Sequence, residues 1–136
     1  RQMCIRDRPR HGQPLADNPA PANADWCREI IPDPVMLFRF SALTFNGHRI
    51  HYDRPYATEK EGYPGLLVQG PLQVLLLLEL LRRVLPNPLR GFRYRALRPL
   101  FDGEPFTINA SRNGESISVW TADRTGNMGM TGEANC

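Results

Sequence analysis

The sequence has almost no lysine. Sixteen of its 17 basic residues are arginine and one is Lys60, against 14 acidic residues, for a formal net charge of +3. So small an imbalance argues against a dedicated nucleic-acid-binding protein, which needs a strongly basic surface, and suits an anionic small molecule better. The preference for arginine and the 13 prolines indicate a GC-rich coding sequence and a bacterial source.

Cysteine is scarce and has no pairing pattern. Cys4, Cys27 and Cys136 are odd in number and show no Cys-x-x-Cys spacing, so neither a disulfide framework nor a zinc site is predicted. We therefore expect a reducing cytoplasm. We also expect no secretory leader, since no basic start is followed by an apolar run and a small-residue cleavage site.

No apolar run is long enough to cross a bilayer, which takes about 20 mostly uninterrupted apolar residues. The most apolar window, residues 66–85, is interrupted at Gln69, Gly70, Pro71, Gln73, Glu79, Arg82 and Arg83. Its leucines predict instead a core helix over 70–85, covered on nearly all sides. Pro71 suits the first turn of that helix, and Glu79 and Arg83 are spaced for an i to i+4 pair.

The length allows one domain. Residues 1–33 are rich in Pro, Ala, Asn and Asp and show no periodicity, so they predict a disordered or linker tail. The opening RQMCIRDR resembles a translated sequencing-adapter remnant, and we expect residues 1–8 to be non-native. Residues 34–136 form the predicted domain.

The predicted elements of this domain are α+β. The run VMLFRFSAL at 35–43 predicts a strand with both faces covered, and residues 53–60 a short helix capped by Asp53 with Pro55 in its first turn. After the long helix, alternating residues predict strands at 92–96, 106–110, 117–121 and 127–133. Asp102–Gly103 and Asn113–Gly114 provide turns. The prediction is an antiparallel sheet curled around one long helix.

A polar motif lies ahead of the long helix. It reads NGHRIHYD from Asn46 to Asp53, with Ala57 and then Gln69–Gly70 downstream. This frame resembles the MaoC-like enoyl-CoA hydratase family, whose pattern is roughly Asp-x-Asn-Pro-x-His-x-Asp, an alanine, and His-Gly opening the central helix. The segments FNGHRIHYDRPYA and EGYPGLLVQGPL are most similar to those of the branch of mesaconyl-C4-CoA (3-methylfumaryl-CoA) and itaconyl-CoA hydratases.

The resemblance implies a hotdog fold and assigns roles. His51 matches the catalytic histidine, Asn46 the family's aspartate, and Gly70 the glycine whose N–H faces the thioester oxygen. Where the family has Asn, Pro and His, this sequence has His48, Arg49 and Gln69. Substrate-binding residues are expected at Arg49, Tyr52, Gln69, Arg93 and Arg95.

The chemistry of hydration is compatible with these roles. Adding water to a double bond conjugated to a thioester needs a base for the water, a proton for the α-carbon, and donors for the enolate oxygen. His51 can serve as base and then as acid near neutral pH. Asn46 cannot take a proton, so a one-base mechanism is predicted. Gly70 would be the backbone donor, because Pro71 has no N–H.

Structural interpretations of the same residues stay open. His48 fits a solvated loop, Asn46–Gly47 is an ordinary turn dipeptide, and Asp53 fits a helix cap. Arg49 could bind a substrate carboxylate or simply lie on the surface. The arginines that could meet coenzyme A phosphates, or form a solvated basic face, are Arg82, Arg83, Arg90, Arg93, Arg95 and Arg98.

The expected function is hydration of a short branched or dicarboxylic enoyl-CoA, such as mesaconyl-C4-CoA to citramalyl-CoA. No metal or redox cofactor is expected, and coenzyme A is part of the substrate. Two alternatives remain: a hotdog acyl-CoA thioesterase, and a non-catalytic half-domain. Because members of this branch usually carry two hotdog units, we expect this chain to be the C-terminal half of a longer protein. It would form a homodimer or pair with a second hotdog unit.

Overall fold

The computed structural model describes residues 16–136 as one antiparallel sheet with a long helix packed on it. The strands are β1 Trp26–Ile30, β2 Gly91–Ala96, β3 Phe106–Asn113, β4 Ser116–Ala122 and β5 Met128–Asn135, in the order β1-β3-β4-β5-β2. The helices are α1 Pro34–Leu43 and α2 Gly70–Val84. A 3₁₀ turn at Arg49–His51 and a π-helical turn at Tyr56–Lys60 lie between them. The predicted α+β arrangement is confirmed.

The central strands follow the predicted alternation. Ile108 and Ala110 of β3 and Ile117 and Val119 of β4 are buried against the helix, and strands β2 to β5 each overlap a predicted strand. The β3–β4 register runs through the predicted turn, where Gly114 has φ +62°. A left-handed residue is what a tight hairpin requires, and glycine adopts that conformation without steric cost.

Helix α2 packs one face on the sheet. Leu77 and Leu81 have no exposed surface, and burying a leucine side chain contributes about 1.5–3 kcal/mol. The Thr121 hydroxyl also donates a 2.9 Å hydrogen bond to Gln73 Oε1, which joins the first turns of α2 to β4. The bounds match the prediction to one residue. The expectation that α2 is covered all round is wrong, because Leu75 is 52% exposed.

The predicted strand at 35–43 is wrong, because these residues form helix α1. Asp33 Oδ1 accepts a 2.7 Å hydrogen bond from Met36 N, and Pro34 occupies the first turn. Both are helix-start signals that outweigh β propensity. The buried residues Leu37 and Ser41 are four apart, on one helical face. A short apolar run has no period that separates a strand from a helix.

The predicted tail is also wrong for its second half. Residues 26–30 form β1, which pairs antiparallel with β3, from Trp26 opposite Ala110 to Ile30 opposite Phe106. Ala20 N donates to Gly126 O at 2.8 Å, so the preceding residues lie against the β4–β5 turn. A mostly exposed edge strand buries too little to leave a periodic pattern, and β3 supplies its hydrogen bonds. The predictions for residues 1–15 lie outside the described residues.

None of the helices in residues 16–136 is both long and apolar enough to span a membrane.

The close approach of β5 to β2 gives a prediction about stability. A Cβ at Gly132 would lie 2.6 Å from the carbonyl oxygen of Arg93 and 3.2 Å from Val119 Cγ2. Gly132→Ala should therefore lower the free energy of unfolding by about 1–3 kcal/mol, since backbone must move. Urea denaturation measures this loss. In Gly91→Ala, the matched control, the new Cβ would lie 3.8 Å from Asn135 Nδ2, and stability should be unchanged; equal effects of both variants would contradict the prediction.

Candidate active site

His51 lies at the end of the 3₁₀ turn and is 9% exposed. Its Nδ1 is 2.8 Å from the carbonyl oxygen of Leu67. A carbonyl oxygen only accepts, so this bond places the ring proton on Nδ1 and leaves the Nε2 lone pair free in the neutral form. The arrangement fixes both the orientation and the tautomer of the imidazole.

The surroundings of His51 favour its neutral form. Burial lowers the pKa of His51 below its ordinary value; the hydrogen bond to Leu67 acts in the opposite direction and is outweighed, and the charge of His48 lowers the pKa further. A histidine that is neutral at neutral pH can accept a proton. His51 therefore has the state that a general base needs.

The turn that carries His51 is held by backbone hydrogen bonds. His51 N donates to His48 O at 3.2 Å, and Leu67 N donates to Ile50 O at 3.0 Å. The Ile50 side chain is 7% exposed, so it anchors the turn in the core beside His51. Leu67 thus pairs with the turn through both its N–H and its carbonyl oxygen.

Asn46 links α1 to this turn. Its backbone N donates to Ser41 O at 2.9 Å, and its side-chain Oδ1 accepts from His48 N at 3.2 Å. The turn interpretation of Asn46 is therefore present in the structure. The hydrogen bond from His48 N occupies the side-chain oxygen of Asn46. Its Nδ2 has no acceptor in residues 16–136, so the amide can still orient a water molecule.

Gly70 is the first residue of α2. The preceding Gln69 is extended, and its side chain does not cap the helix. Within the described chain, Gly70 N–H has no acceptor, as expected for a first-turn amide. A Cβ at Gly70 would meet nothing within 4 Å, so the space beside its Cα is open. The Gly70 N–H lies at the positive end of the helix dipole.

Gln69 makes buried hydrogen bonds to helix α1. It has no exposed surface, and its Nε2 donates to Leu37 O at 2.8 Å and to Ser41 Oγ at 2.9 Å. Its Oε1 is buried without a hydrogen-bond partner in residues 16–136. Gln69 therefore fastens the start of α2 to α1, and its predicted substrate contact remains a prediction.

Arg49 and Tyr52 are occupied by near neighbours. Arg49 Nε and Nη2 lie 3.0 and 2.7 Å from Asp53 Oδ2, and the guanidinium stands 4.4 Å from the ring centroid of Tyr56. Tyr52 donates its hydroxyl to Gly47 O at 2.9 Å. Asp53 Oδ1 accepts from Tyr56 N at 3.1 Å, which confirms the predicted cap. Substrate contacts by Arg49 and Tyr52 remain predictions.

Only some of the arginines that could meet coenzyme A phosphates form ion pairs with carboxylates. Glu79 holds both Arg82 and Arg83, which lower its pKa to about 2, and the predicted Glu79–Arg83 pair is confirmed. On β2, Arg93 pairs with Glu133 at 2.6 Å, and Arg95 has no ion pair in the part of the chain that is described. Arg93 and Arg95 lie on an edge strand, and their contact with substrate stays a prediction.

Three interactions that shape the site were not predicted from the sequence. The Leu67 carbonyl is a backbone group, and nothing in the pattern marks Ser41 as the partner of Gln69. The ring of His48 lies edge-on to His51, with centroids 5.7 Å apart and planes at 82°. Their proximity depends on tertiary structure. The His-x-x-His spacing in a tight turn is the one sequence signal that could have indicated the contact between His48 and His51.

Comparison with known proteins shows the family to which the chain belongs. A model of the family described as hydroxyacyl-thioester dehydratase type 2 matches residues 1–102. The mesaconyl-C(4)-CoA hydratase of Chloroflexus aurantiacus is 48% identical over 126 residues, covering 86% of this chain and 45% of that protein. The mitochondrial hydroxyacyl-thioester dehydratase type 2 of Schizosaccharomyces pombe is 44% identical over 96 residues, covering 68% of this chain and 32% of that protein. The chain spans less than half the length of these relatives.

Solved structures confirm the hotdog fold. An (R)-hydratase from A. caviae superposes with a TM-score of 0.67 at 20% identity, covering 82% of this chain and 93% of the other. A MaoC-like dehydratase from Phytophthora capsici superposes with a TM-score of 0.72 at 16% identity, covering 90% of this chain and 44% of the other. The chain thus spans less than half of that longer protein.

The environment of His51 predicts its titration. Its imidazole should titrate below 6.5 and carry the proton of the neutral form on Nδ1, because the ring is buried and bound to Leu67 O. Nitrogen-15 NMR measures both properties, with His51→Gln identifying the signal and the urea-unfolded chain giving the ordinary pKa. Between the two pKa values the unfolded chain binds more protons, so stability should fall as pH drops through that window. A folded pKa above the unfolded one would contradict the assignment.

Proposed function

The chain belongs to the hydroxyacyl-thioester dehydratase type 2 family, and on that premise we propose that it hydrates an enoyl-CoA thioester reversibly. The observation that supports this most is the state of His51. Its Nδ1 is bound to the Leu67 carbonyl, which leaves Nε2 as a base of fixed direction in a buried turn.

The substrate we propose is mesaconyl-C4-CoA, with citramalyl-CoA as product. The support is the 48% identity to a mesaconyl-C(4)-CoA hydratase over 86% of this chain. The other curated relatives are named for hydroxyacyl thioesters, so the reaction class has broader support than the acyl group.

The proposed reaction uses one proton-transfer group. His51 Nε2 takes a proton from water as the water oxygen bonds to the β-carbon, and the π electrons move toward the thioester oxygen as an enolate. The same proton then passes from His51 to the α-carbon, so water is added and His51 is regenerated. Asn46 would hold the water through Nδ2, since its Oδ1 is engaged by His48 N.

We assign the Gly70 N–H as the hydrogen-bond donor to the enolate oxygen. This N–H is unpaired in the described chain, and the 15-residue helix behind it directs a positive dipole end at the same place. Removing one such donor costs about 2.7–4 kcal/mol of transition-state stabilisation in other enzymes, so this is a large effect.

The thioesterase alternative has less support. It would use a carboxylate to direct water at the carbonyl carbon, and the residues from Asn46 to His51 contain no acid. The nearest carboxylate, Asp53, caps a helical turn with one oxygen and binds Arg49 with the other.

We also propose that the chain pairs with another hotdog unit, a second copy or the remainder of a longer protein. Among residues 16–136, strand β2 pairs with β5 on one side only, so its outer edge offers backbone groups without a partner strand there. If the paired unit is required for turnover, the isolated chain would be a folded but inactive half.

Mass spectrometry of mesaconyl-C4-CoA incubated with the chain distinguishes these functions. We expect gain of one water, with the rate reduced about 10²- to 10⁴-fold in His51→Gln because the base is lost. Circular dichroism must show that this variant is folded. Release of free coenzyme A would support the thioesterase instead. Unchanged substrate from a folded chain would support the inactive half, and His51→Gln with full activity would contradict the mechanism.

Gly70→Ala tests whether the site needs the open space at this glycine for the reaction rather than for folding. A new Cβ meets nothing within 4 Å, so the free energy of unfolding should not fall. The hydration rate should fall about 10- to 100-fold, because the methyl group enters the space assigned to the thioester and displaces the reacting atoms. Urea denaturation and the hydration assay test the two parts. Gly91→Ala is the control, and a Gly70→Ala variant as active as this control would rule out the assigned oxyanion position.

A further inference from the structure

His48 is fixed on both sides by the groups assigned to the reaction. Its backbone N donates to Asn46 Oδ1 at 3.2 Å, and its backbone O accepts from His51 N at 3.2 Å. Its φ of −70° and ψ of 111° are ordinary extended values that begin the 3₁₀ turn. Its backbone thus lies directly between Asn46 and His51.

The ring of His48 continues this arrangement. It meets the His51 ring edge-on at 5.7 Å between centroids, with an interplanar angle of 82°. His48 is only partly buried, and His51 is nearly fully buried. Once His48 is charged, a second proton on His51 would bring two positive charges together.

Other charged groups near His51 do not offset this effect. Arg49 and Asp53, on the same turn, neutralise each other at 2.7 Å. Helix α1 contributes Ser41 to the adjoining contacts, and the 66–70 segment contributes the Leu67 carbonyl and Gln69; none of these ionises. Of the ionisable groups in residues 16–136, His48 is the one whose charge acts on His51.

We propose that His48 is a positioning residue acting through His51: its ring fixes the direction of the His51 imidazole and, when charged, repels a second positive charge there. The proposal rests on the proposed hydration reaction. When His48 carries a charge, His51 stays a base to lower pH than it would beside a neutral residue. An asparagine at this position, as in the family pattern that the sequence resembles, could shape the turn but could not carry the charge.

The test compares a neutral and a charged replacement of His48. His48→Asn is neutral, so His51 should titrate at higher pH than in the unchanged chain, and the acid limb of the hydration rate should move to higher pH. His48→Lys keeps a positive charge at this position throughout the titration, so neither should move to higher pH. Both variants retain the backbone groups that bind Asn46 and His51, and their folding is checked by urea denaturation.

A matched control changes net charge elsewhere. Glu115→Gln removes one negative charge from the β3–β4 turn, which raises the net charge by one, and it should leave the His51 titration unchanged. Shifts of the same sign in His48→Asn and His48→Lys, or no shift in either, would overturn the proposal. The NMR titration needs no substrate, so it decides the role of His48 even if the chain fails to hydrate the thioester, which would count against the proposed function alone.

Discussion

The pairing of the short extended segment at 66–68 with both of its neighbours holds the site together. Leu67 exchanges hydrogen bonds with Ile50 and His51 on one side, and Val68 N donates to Leu100 O at 2.8 Å on the other. Buried backbone groups need hydrogen-bond partners, and this segment finds them on both sides. The same segment leads directly into α2. The direction of the His51 ring and the start of the helix are therefore consequences of one set of hydrogen bonds.

Several arginines of this protein are paired with carboxylates on exposed faces. Arg82 and Arg83 pair with Glu79, and Arg93 pairs with Glu133. Exposed pairs of this kind contribute little to stability, about 0–1 kcal/mol each. Around His51 the partners are a carbonyl oxygen and a second histidine. Because no carboxylate of residues 16–136 binds its ring, His51 is suited to act as a base that must be neutral before it accepts a proton.

Sequence reasoning succeeded where a signal was repeated along the chain. Helix α2 and strands β2 to β5 were predicted because many residues share one period, and Gly114 marks the hairpin between β3 and β4. It failed for α1, where ten residues are too few for a period and the Asp33 cap was overlooked. It failed for β1 because an exposed edge strand depends on hydrogen bonds from β3, which the sequence does not reveal.

The amino-acid sequence by itself determined which groups are available for chemistry: a histidine in a polar motif, an amide in place of an acid at Asn46, and a glycine followed by proline at a helix start. These are matters of side-chain identity and short spacing. Only the tertiary structure decided the tautomer of His51, the burial of Gln69 and the contact between the rings of His48 and His51. Each of these depends on atoms brought together by packing or on the direction of a ring, and residue order alone specifies neither.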